Sequence, residues 1–283
     1  MWIMAMRNIK IFFRDRSAVF FSLLAVFIII GLYVVFLGDT ITKGYEGVDG
    51  ASFLINSWVM AGILAVTSIT TTMGAFGIMV NDRDTKILKD FYSSPMKRRD
   101  IAGGYIISAC VVGILMSLVT FIIAEVYIVG SGGELISLVG AIELISLIVL
   151  AVLASSSMVF FIVTFFKSQK AFATVSTIIG TLIGFLTGVY IPIGVLPDAV
   201  QWIIKIFPVS HAGALMRQVL LEKPMAISFA NAPIEIIDSF EKNMGVVFEI
   251  GGTTLDVSVS IMVLMATAVL FYGLSVIKIS RSI

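Results

Sequence analysis

Residues that commonly carry chemistry are rare in this sequence of 283 residues. It has one histidine, His211, and one cysteine, Cys110, which lies within an apolar run. This excludes a disulfide, a cysteine-ligated metal site and a pair of histidine metal ligands within a single chain. The apolar segments also offer no charged or histidine-bearing pair that could catalyse a reaction inside a membrane. The sequence therefore predicts no enzyme and no cofactor or metal site.

Energy coupling would need either a nucleotide site or an ion path. The phosphate-binding pattern Gly-x-x-x-x-Gly-Lys-Ser/Thr does not occur, so ATP, if it is used, must be bound by another polypeptide. An ion-driven carrier is expected to keep an ionisable residue at mid-depth in the membrane, where such residues are costly. Only Glu125 and Glu143 fall inside apolar segments, and both lie within a few residues of the loop around SGGE.

The composition is that of a membrane protein. The chain is 59% hydrophobic and 13% charged, with a mean hydropathy of +1.07, which is more apolar surface than one soluble core could bury. A membrane-spanning helix needs about 20 mostly apolar residues. Six segments meet this requirement: 17–38, 54–80, 101–129, 141–166, 171–191 and 255–277. We predict an all-α protein with six transmembrane helices.

The basic residues predict the orientation. Most of the 19 lysines and arginines lie before the first span, between spans 2 and 3, between spans 4 and 5, or after span 6. Short loops that are rich in lysine and arginine stay in the cytoplasm. We therefore expect a multi-pass membrane protein with both termini in the cytoplasm.

The connection 192–254 differs from the other loops. It contains Pro192, Pro197 and Pro208, and its apolar pieces are too short to span, which favours re-entrant or interfacial helices at the outer surface. No linker divides the chain, so we expect a single transmembrane domain over 1–283.

The segment 81–100, NDRDTKILKDFYSSPMKRRD, is the most hydrophilic stretch in the first half of the chain. Asp82 and Asp84 favour a helix N-terminus, and Pro95 ends the helix that they begin. The predicted helix has one apolar stripe, formed by Ile87, Leu88, Phe91 and Tyr92. The acidic residues disfavour binding to anionic lipid, so we expect the stripe to dock on a protein partner. The alternative is an ordinary solvated loop.

These residues carry a resemblance. The runs 82–87 (DRDTKI), 91–95 (FYSSP) and 97–99 (KRR) resemble the signature between spans 2 and 3 of ABC-2 type transporter permeases. Lys86-Ile87 stands where that family usually has Gly-Thr. The N-terminal segment 1–16 resembles the family's interfacial helix, although a plain basic flank is an equal alternative. In the outer loop, Arg217 matches an arginine of the family pattern.

The resemblance implies the six-span fold of ABC-2 exporters, with an interfacial helix over 1–16, a cytoplasmic coupling helix in 81–100 and re-entrant outer helices within 192–254. It also implies partners: two permease chains would work with two ABC ATPase chains, which bind ATP and Mg. The coupling residues would be Asp82, Asp84, Ile87, Leu88, Phe91, Tyr92 and Pro95. Membrane lipid is the remaining partner, and nucleic acid is not expected.

Small and polar residues in spans 2 and 5 predict close helix contacts. Gly180, Gly184 and Gly188 form two successive Gly-x-x-x-Gly steps, a pattern that lets helices approach closely. They could form a subunit interface or a translocation path, or simply pack within one chain. The candidates are Thr67, Thr71, Gly74, Thr177, Gly180, Thr181, Gly184 and Gly188. On the outer side the candidates are Glu125, Glu143 and Arg217.

By resemblance, the chain is the permease subunit of an ATP-driven exporter that moves a hydrophobic or amphiphilic compound outward. A polysaccharide or lipid-linked glycan is the alternative cargo. An ion-coupled carrier and a non-transporting membrane sensor are the alternatives from other classes.

Overall fold

The computed structural model describes residues 1–33, 35, 44 and 48–281. Helices form nearly all of it: α1 (Trp2–Arg14), α2 (Arg16–Leu32), α3 (Ala51–Asp84), α4 (Ile87–Ser93), α5 (Arg98–Gly130), α6 (Leu138–Val163), α7 (Gln169–Leu186), α8 (Asp198–Ile206), α9 (Pro208–Ser228), α10 (Ile234–Asn243) and α11 (Val257–Arg281). Two short antiparallel strands, β1 (Glu249–Ile250) and β2 (Thr253–Thr254), precede α11 with Glu249 opposite Thr254.

Five of the described helices are long and apolar enough to cross a membrane: α3, α5, α6, α7 and α11. The bent pair α1–α2, with an angle of 78° between its two helices, is a sixth candidate. Helix α2 covers the first part of the predicted span 17–38, and the end of that span lies outside the described residues. The prediction of an all-α membrane protein is confirmed, and the count of six spans stays a prediction.

Helix α3 is the centre of the bundle because α2, α5, α6, α7 and α9 all pack against it. Two of its threonines turn inward and bond to their own helix. Thr67 Oγ1 donates to the Ile63 carbonyl at 2.8 Å, and Thr71 Oγ1 donates to the Thr67 carbonyl at 2.7 Å. Both threonines are fully buried within the chain. Of the alternatives that the sequence left open for Thr67 and Thr71, the structure favours packing within the chain.

The outer connection forms more helix than the sequence predicted. Helix α9 has 21 residues, begins at Pro208 and packs against α3, α6 and α11. Proline suits the first helical turn because its missing N–H has no partner there. The buried His211 ties the neighbouring elements together, since its Nε2 lies 2.9 Å from the Lys205 carbonyl in the last turn of α8 and its Nδ1 lies 3.0 Å from Ser260 Oγ in α11.

The end of α7 holds a buried arginine. Gly188 has a φ of +65°, and the N–H groups of Gly188 and Val189 donate back to the carbonyls of Phe185 and Gly184, which closes the helix as glycine-terminated helices commonly close. The carbonyls of Thr187 and Gly188 remain, and they accept hydrogen bonds from Arg217 Nη2 at 2.9 and 3.1 Å. Arg217 is 0% exposed, so its charge lies against the negative end of a helix dipole.

The same guanidinium joins two further parts of the outer end. Arg217 Nη1 donates to the Gly245 carbonyl at 3.2 Å, and the guanidinium carbon lies 4.9 Å from the centre of the Trp58 ring. Trp58 Nε1 in turn donates to the Met244 carbonyl at 2.6 Å. Among the described residues no carboxylate pairs with Arg217. Backbone carbonyls and an aromatic ring therefore stabilise this cation, and they connect α3, α7, α9 and the segment after α10.

We predict that Arg217→Met lowers the free energy of unfolding by about 2–4 kcal/mol, because it leaves several buried carbonyls without a donor. Thermal unfolding of the purified chain in detergent measures the effect. Arg217→Lys keeps the charge with fewer donors in a different geometry, so we expect an intermediate loss. Arg98→Met, at an exposed position, serves as the control. Equal stability of the Arg217→Met and Arg98→Met variants would contradict the prediction.

Candidate functional site

The charged segment 81–100 contains two helix ends and a separate short helix. Helix α3 continues through Asp84, with Thr85 N–H donating to the Asn81 carbonyl at 2.9 Å. The prediction that Asp82 and Asp84 begin a helix is therefore wrong, because helix α3 continues through both residues and they lie in its last turn. Helix α4 then ends at Ser93, and Ser94 is extended, the conformation that a following proline, here Pro95, imposes.

The break between α3 and α4 lies at Lys86. Its φ is +67°, a left-handed conformation that it shares with no other non-glycine residue described in the structure. This conformation costs an L-residue about 1–2 kcal/mol and costs glycine almost nothing. The turn thus has the backbone geometry for which glycine is best suited, and nothing in the structure explains why lysine stands there.

Asp82 is buried in a polar cluster rather than exposed to a partner. Its carboxylate accepts hydrogen bonds from Arg7 Nη1 at 2.6 Å, Arg7 Nη2 at 3.0 Å and the Tyr105 hydroxyl at 2.5 Å. The hydrogen bond to Asp82 raises the pKa of the Arg7 guanidinium above its ordinary value. This cluster joins α3 to α1 and α5. Asp82 is therefore not available for direct contact with a partner, and its part in coupling stays a prediction.

Arg83 and Asp84 contact the end of α6 and the start of α7. Arg83 Nη1 donates to the carbonyls of Val163 at 3.1 Å and Phe166 at 2.6 Å, at the end of α6. Asp84 accepts the Gln169 N–H at 3.1 Å, at the start of α7. A cation at a helix C-terminus and an anion at a helix N-terminus both suit the helix dipole. Three consecutive residues, 82–84, thus tie the end of α3 to α1, α5, α6 and α7.

Helix α4 packs one side on the chain and leaves the other free. Leu88 is buried, Ile87 and Phe91 are half-buried, and the Phe91 ring lies 5.0 Å from the Arg7 guanidinium carbon. Tyr92 is 46% exposed, with the Arg98 guanidinium carbon 5.3 Å from its ring centre. Most of the predicted apolar stripe therefore packs α4 against the rest of the chain. Tyr92 is the only one of its four residues that is exposed.

A groove of about 660 Å³ lies between α2, α3 and α7. The sequence predicted four of its lining residues: Gly74, Thr177, Gly180 and Thr181. It missed others on the same face of α7, of which Gln169 and Ser176 are polar. Positions 169, 173, 176, 177 and 180 follow the period of a helix, so this stripe was a signal in the sequence. The hydroxyls of Thr177 and Thr181 bond to carbonyls of their own helix.

The two Gly-x-x-x-Gly steps do not form one surface. A Cβ at Gly180 would meet no atom within 4 Å, so this glycine faces open space. A Cβ at Gly184 would lie 2.2 Å from the Tyr190 ring, so Gly184 is there for packing within the chain. Gly188 serves the left-handed end of α7. Gly184 and Gly188 therefore serve the packing and the helix end within the chain, and an interface or path role for Gly180 stays a prediction.

On the outer side, Glu125 and Glu143 are not brought together. Glu125 is buried, and its Oε2 accepts the Ile136 N–H at 3.1 Å, which ties α5 to the loop before α6. It lines a cavity of about 20 Å³ with Ser57, whose hydroxyl has no partner among the described residues. Glu143 is exposed on α6. In the described part of the chain, no group of three or more histidine, cysteine or acidic residues could hold a metal.

We predict a coupling energy of about 1–3 kcal/mol between Arg7 and Asp82 in a double-mutant cycle of Arg7→Met and Asp82→Asn. The pair is strong because the Asp82 side chain is only 3% exposed. The matched control is the pair Lys223–Glu134, at 3.5 Å, whose side chains are 43% and 65% exposed. Exposed pairs contribute about 0–1 kcal/mol. Denaturant unfolding in detergent measures both cycles, and equal coupling energies would show that burial does not strengthen the Arg7–Asp82 pair.

The comparisons with known proteins identify the family of the chain. No curated protein sequence matches the chain significantly. The family model described as ABC-2 type transporter matches residues 1–221, which include α1 to α8 and most of α9. This range contains the segment 82–84, the short helix α4, the groove and Arg217. The match extends over more than half of the sequence, and the chain therefore belongs to the ABC-2 type transporter family.

Proposed function

We propose that this permease is the membrane subunit of an ATP-driven exporter and that α4 receives the motion of a partner ABC ATPase. Residues 82–84 carry the proposal, because they tie the base of α4 to four other helices. A force on α4 reaches α3 through the turn at Lys86, and α3 is bonded directly to α1, α5, α6 and α7. One docking helix can thus act on most of the bundle.

The exposed side of α4 fits a protein partner. Tyr92 and Arg98 present an aromatic ring beside a guanidinium, and aromatic residues and arginine are enriched at interfaces. Lys89 and Asp90 are exposed on the same short helix. The partner ATPase would bind ATP and Mg, since this chain lacks a phosphate-binding loop. With the charge-based orientation, α4 and both termini lie in the cytoplasm of a bacterial or archaeal cell.

The groove between α2, α3 and α7 supports a transport path. Helix α7 is among the least buried candidate spans in the single chain, so much of its surface is free to meet lipid or a second permease chain. We propose that two permease chains meet on this side and that their grooves form the path for cargo. A volume of about 660 Å³ lies within the usual range of small-molecule sites. It favours a hydrophobic or amphiphilic compound over a polysaccharide.

The direct experiment is to express the chain with each candidate ABC ATPase of its own cell and to isolate the complex from membranes. We expect one ATPase to co-purify and its ATP hydrolysis in vesicles to be inhibited by vanadate. Transport that stops with a proton uncoupler and is insensitive to vanadate would favour an ion-coupled carrier instead. An isolated chain with no ATPase partner would favour a non-transporting sensor.

We predict that Tyr92→Ala abolishes cargo-stimulated ATP hydrolysis in this complex and leaves membrane insertion and thermal stability intact, because Tyr92 is exposed. Phe91→Ala together with Tyr92→Ala is also expected to uncouple the complex, but Phe91 packs on Arg7, so that double variant should lose stability as well. Tyr272→Ala, at a 49% exposed tyrosine of α11, is the matched control. Normal stimulation in the Tyr92→Ala complex would exclude this residue from coupling.

We predict that Gly180→Phe blocks transport, because Gly180 lines the groove and a Cβ there meets no atom within 4 Å, so that a large side chain would occupy groove space. Gly180→Ala is expected to transport normally. Gly273→Phe, in α11, is the control, since a Cβ there also meets no atom within 4 Å. Transport of a fluorescent amphiphile into inverted vesicles measures all three variants. Equal rates for Gly180→Phe and Gly273→Phe would mean that cargo does not use the groove.

A further inference from the structure

We infer that a polar pocket beside α8 binds the headgroup of an ethanolamine phospholipid, with Lys205 on the phosphate and Glu249 on the ammonium group. The pocket is separate from the groove, and its ligand is not the proposed cargo. It lies at the end of the bundle opposite α4, because its wall includes the C-terminus of α10, next to Met244, whose carbonyl accepts the hydrogen bond of Trp58 near the start of α3.

Helix α8 has the character of a helix at a membrane surface. Its Ile204 is fully buried, which holds the helix on the bundle. On its outer side Trp202, Ile203 and Ile206 are all exposed. A short amphipathic helix with an exposed apolar face that includes a tryptophan is typical of the interface between lipid and water. This face of α8 therefore lies where phospholipid headgroups and acyl chains meet.

The pocket next to α8 has a volume of about 230 Å³. Two of its lining residues, Ile193 and Phe248, are buried and apolar. Its polar lining residues are all at least partly exposed, so a ligand reaches them: Gln201, Lys205, Lys242, Asn243 and Glu249. Drug-sized ligands usually fill about 300–1,000 Å³, so this smaller volume suits a polar headgroup rather than a whole lipid.

Lys205 is the cation that is available to a ligand. Its ammonium group makes no ion pair and no hydrogen bond among the described residues, and it lies 5.9 Å from the centre of the exposed Trp202 ring. The other lysine of the pocket, Lys242, is paired with Glu249 at 2.5 Å. A phosphate therefore gains a charge-assisted hydrogen bond from Lys205 without breaking a bond within the chain.

Glu249 provides the negative side of the pocket. The hydrogen bond and charge of Lys242, and to a smaller extent the charge of Lys205, hold the pKa of the Glu249 carboxyl below its ordinary value, so it is ionised at neutral pH. A carboxylate accepts about four hydrogen bonds, so the pair with Lys242 leaves capacity for an ammonium group. Asp238 adds a second negative charge near Lys242, which disfavours a second anion there.

The order of these groups matches the order of groups in one class of lipid. From the exposed face of α8 the site presents apolar side chains, then the cation of Lys205, then the carboxylate of Glu249. An ethanolamine phospholipid has acyl chains, then a phosphate, then a primary ammonium group. A glycerol headgroup has no cation for Glu249, and a quaternary choline headgroup has no N–H to donate to it.

Native mass spectrometry of the full permease, released from detergent with one lipid added at a time, measures the affinity. The three lipid probes are the dioleoyl phosphatidyl esters of ethanolamine, choline and glycerol, and glycerophosphoethanolamine supplies the same headgroup without acyl chains. The variants are Lys205→Met and Glu249→Gln, with the exposed Lys170→Met and Glu235→Gln as matched controls. Lys205→Met keeps the main-chain carbonyl that bonds His211, and thermal unfolding checks the fold.

We expect the ethanolamine lipid to bind about three- to tenfold more tightly than the choline and glycerol lipids. Lys205→Met should weaken all three by a similar factor, because all three carry the phosphate. Glu249→Gln should remove only the preference for ethanolamine, and the glycerol lipid should then bind at least as tightly as before, because Lys242 is freed. The two control variants should bind like the unmodified chain.

Equal binding of the three phospholipids, undiminished binding of the ethanolamine lipid to Lys205→Met, or a preference for ethanolamine that survives Glu249→Gln would each overturn the inference. Glycerophosphoethanolamine that binds as tightly as the lipid would overturn it too, because the pocket would then be a site for a soluble phosphate compound. Binding is measured on the permease alone, so the result does not depend on the ATPase partner or on the cargo.

Discussion

A guanidinium buried in a membrane protein must find hydrogen-bond acceptors, and the position of Arg217 follows from this requirement. Its guanidinium donates hydrogen bonds to the Thr187 and Gly188 carbonyls, just after the end of α7, and to the Gly245 carbonyl. It also lies over the Trp58 ring. Each contact belongs to a different part of the chain, so the outer end of the bundle is assembled around one cation. The absence of a carboxylate partner in the described part of the chain matters too. A contact made with carbonyls depends on the backbone being in place, and the site is complete only when α7, α9 and the segment after α10 are all folded.

The cytoplasmic end uses charge in a different way. Asp82, Arg83 and Asp84 are consecutive, yet they face three directions because successive residues of a helix are about 100° apart. One turn of α3 therefore contacts Arg7 of α1, the C-terminal carbonyls of α6 and the N-terminal N–H of α7. The short helix α4 is connected to this turn through Lys86, which has a left-handed backbone conformation. In the proposed exporter, a partner that moves α4 acts on a junction rather than on a loose loop.

The sequence predicted the features that depend on local chemistry. Hydropathy located five of the six predicted spans, because the need for about 20 apolar residues acts on each segment alone, and Pro95 located the end of α4. The roles of Asp82 and Thr67 could not be predicted in this way. Asp82 looks like a helix start until Arg7, 75 positions away, is placed beside it. Thr67 looks like a channel residue until the packing around α3 buries it. Likewise, the spacing of Gly180, Gly184 and Gly188 suggested one continuous helix face. The structure shows that the face is interrupted, because the Tyr190 ring packs directly on Gly184.

Helix α3 joins the two ends. Its 34 residues make a rod about 51 Å long, well beyond the roughly 30 Å of the hydrocarbon layer. It holds Trp58 beside Arg217 near one end and residues 82–84 at the other, and it contains no proline that could act as a joint. In the proposed exporter, a helix without such a joint would tilt as a unit when a partner docks on α4. Its outer end would then move in the opposite sense to its cytoplasmic end, so that opening on one side and closing on the other would follow from a single motion.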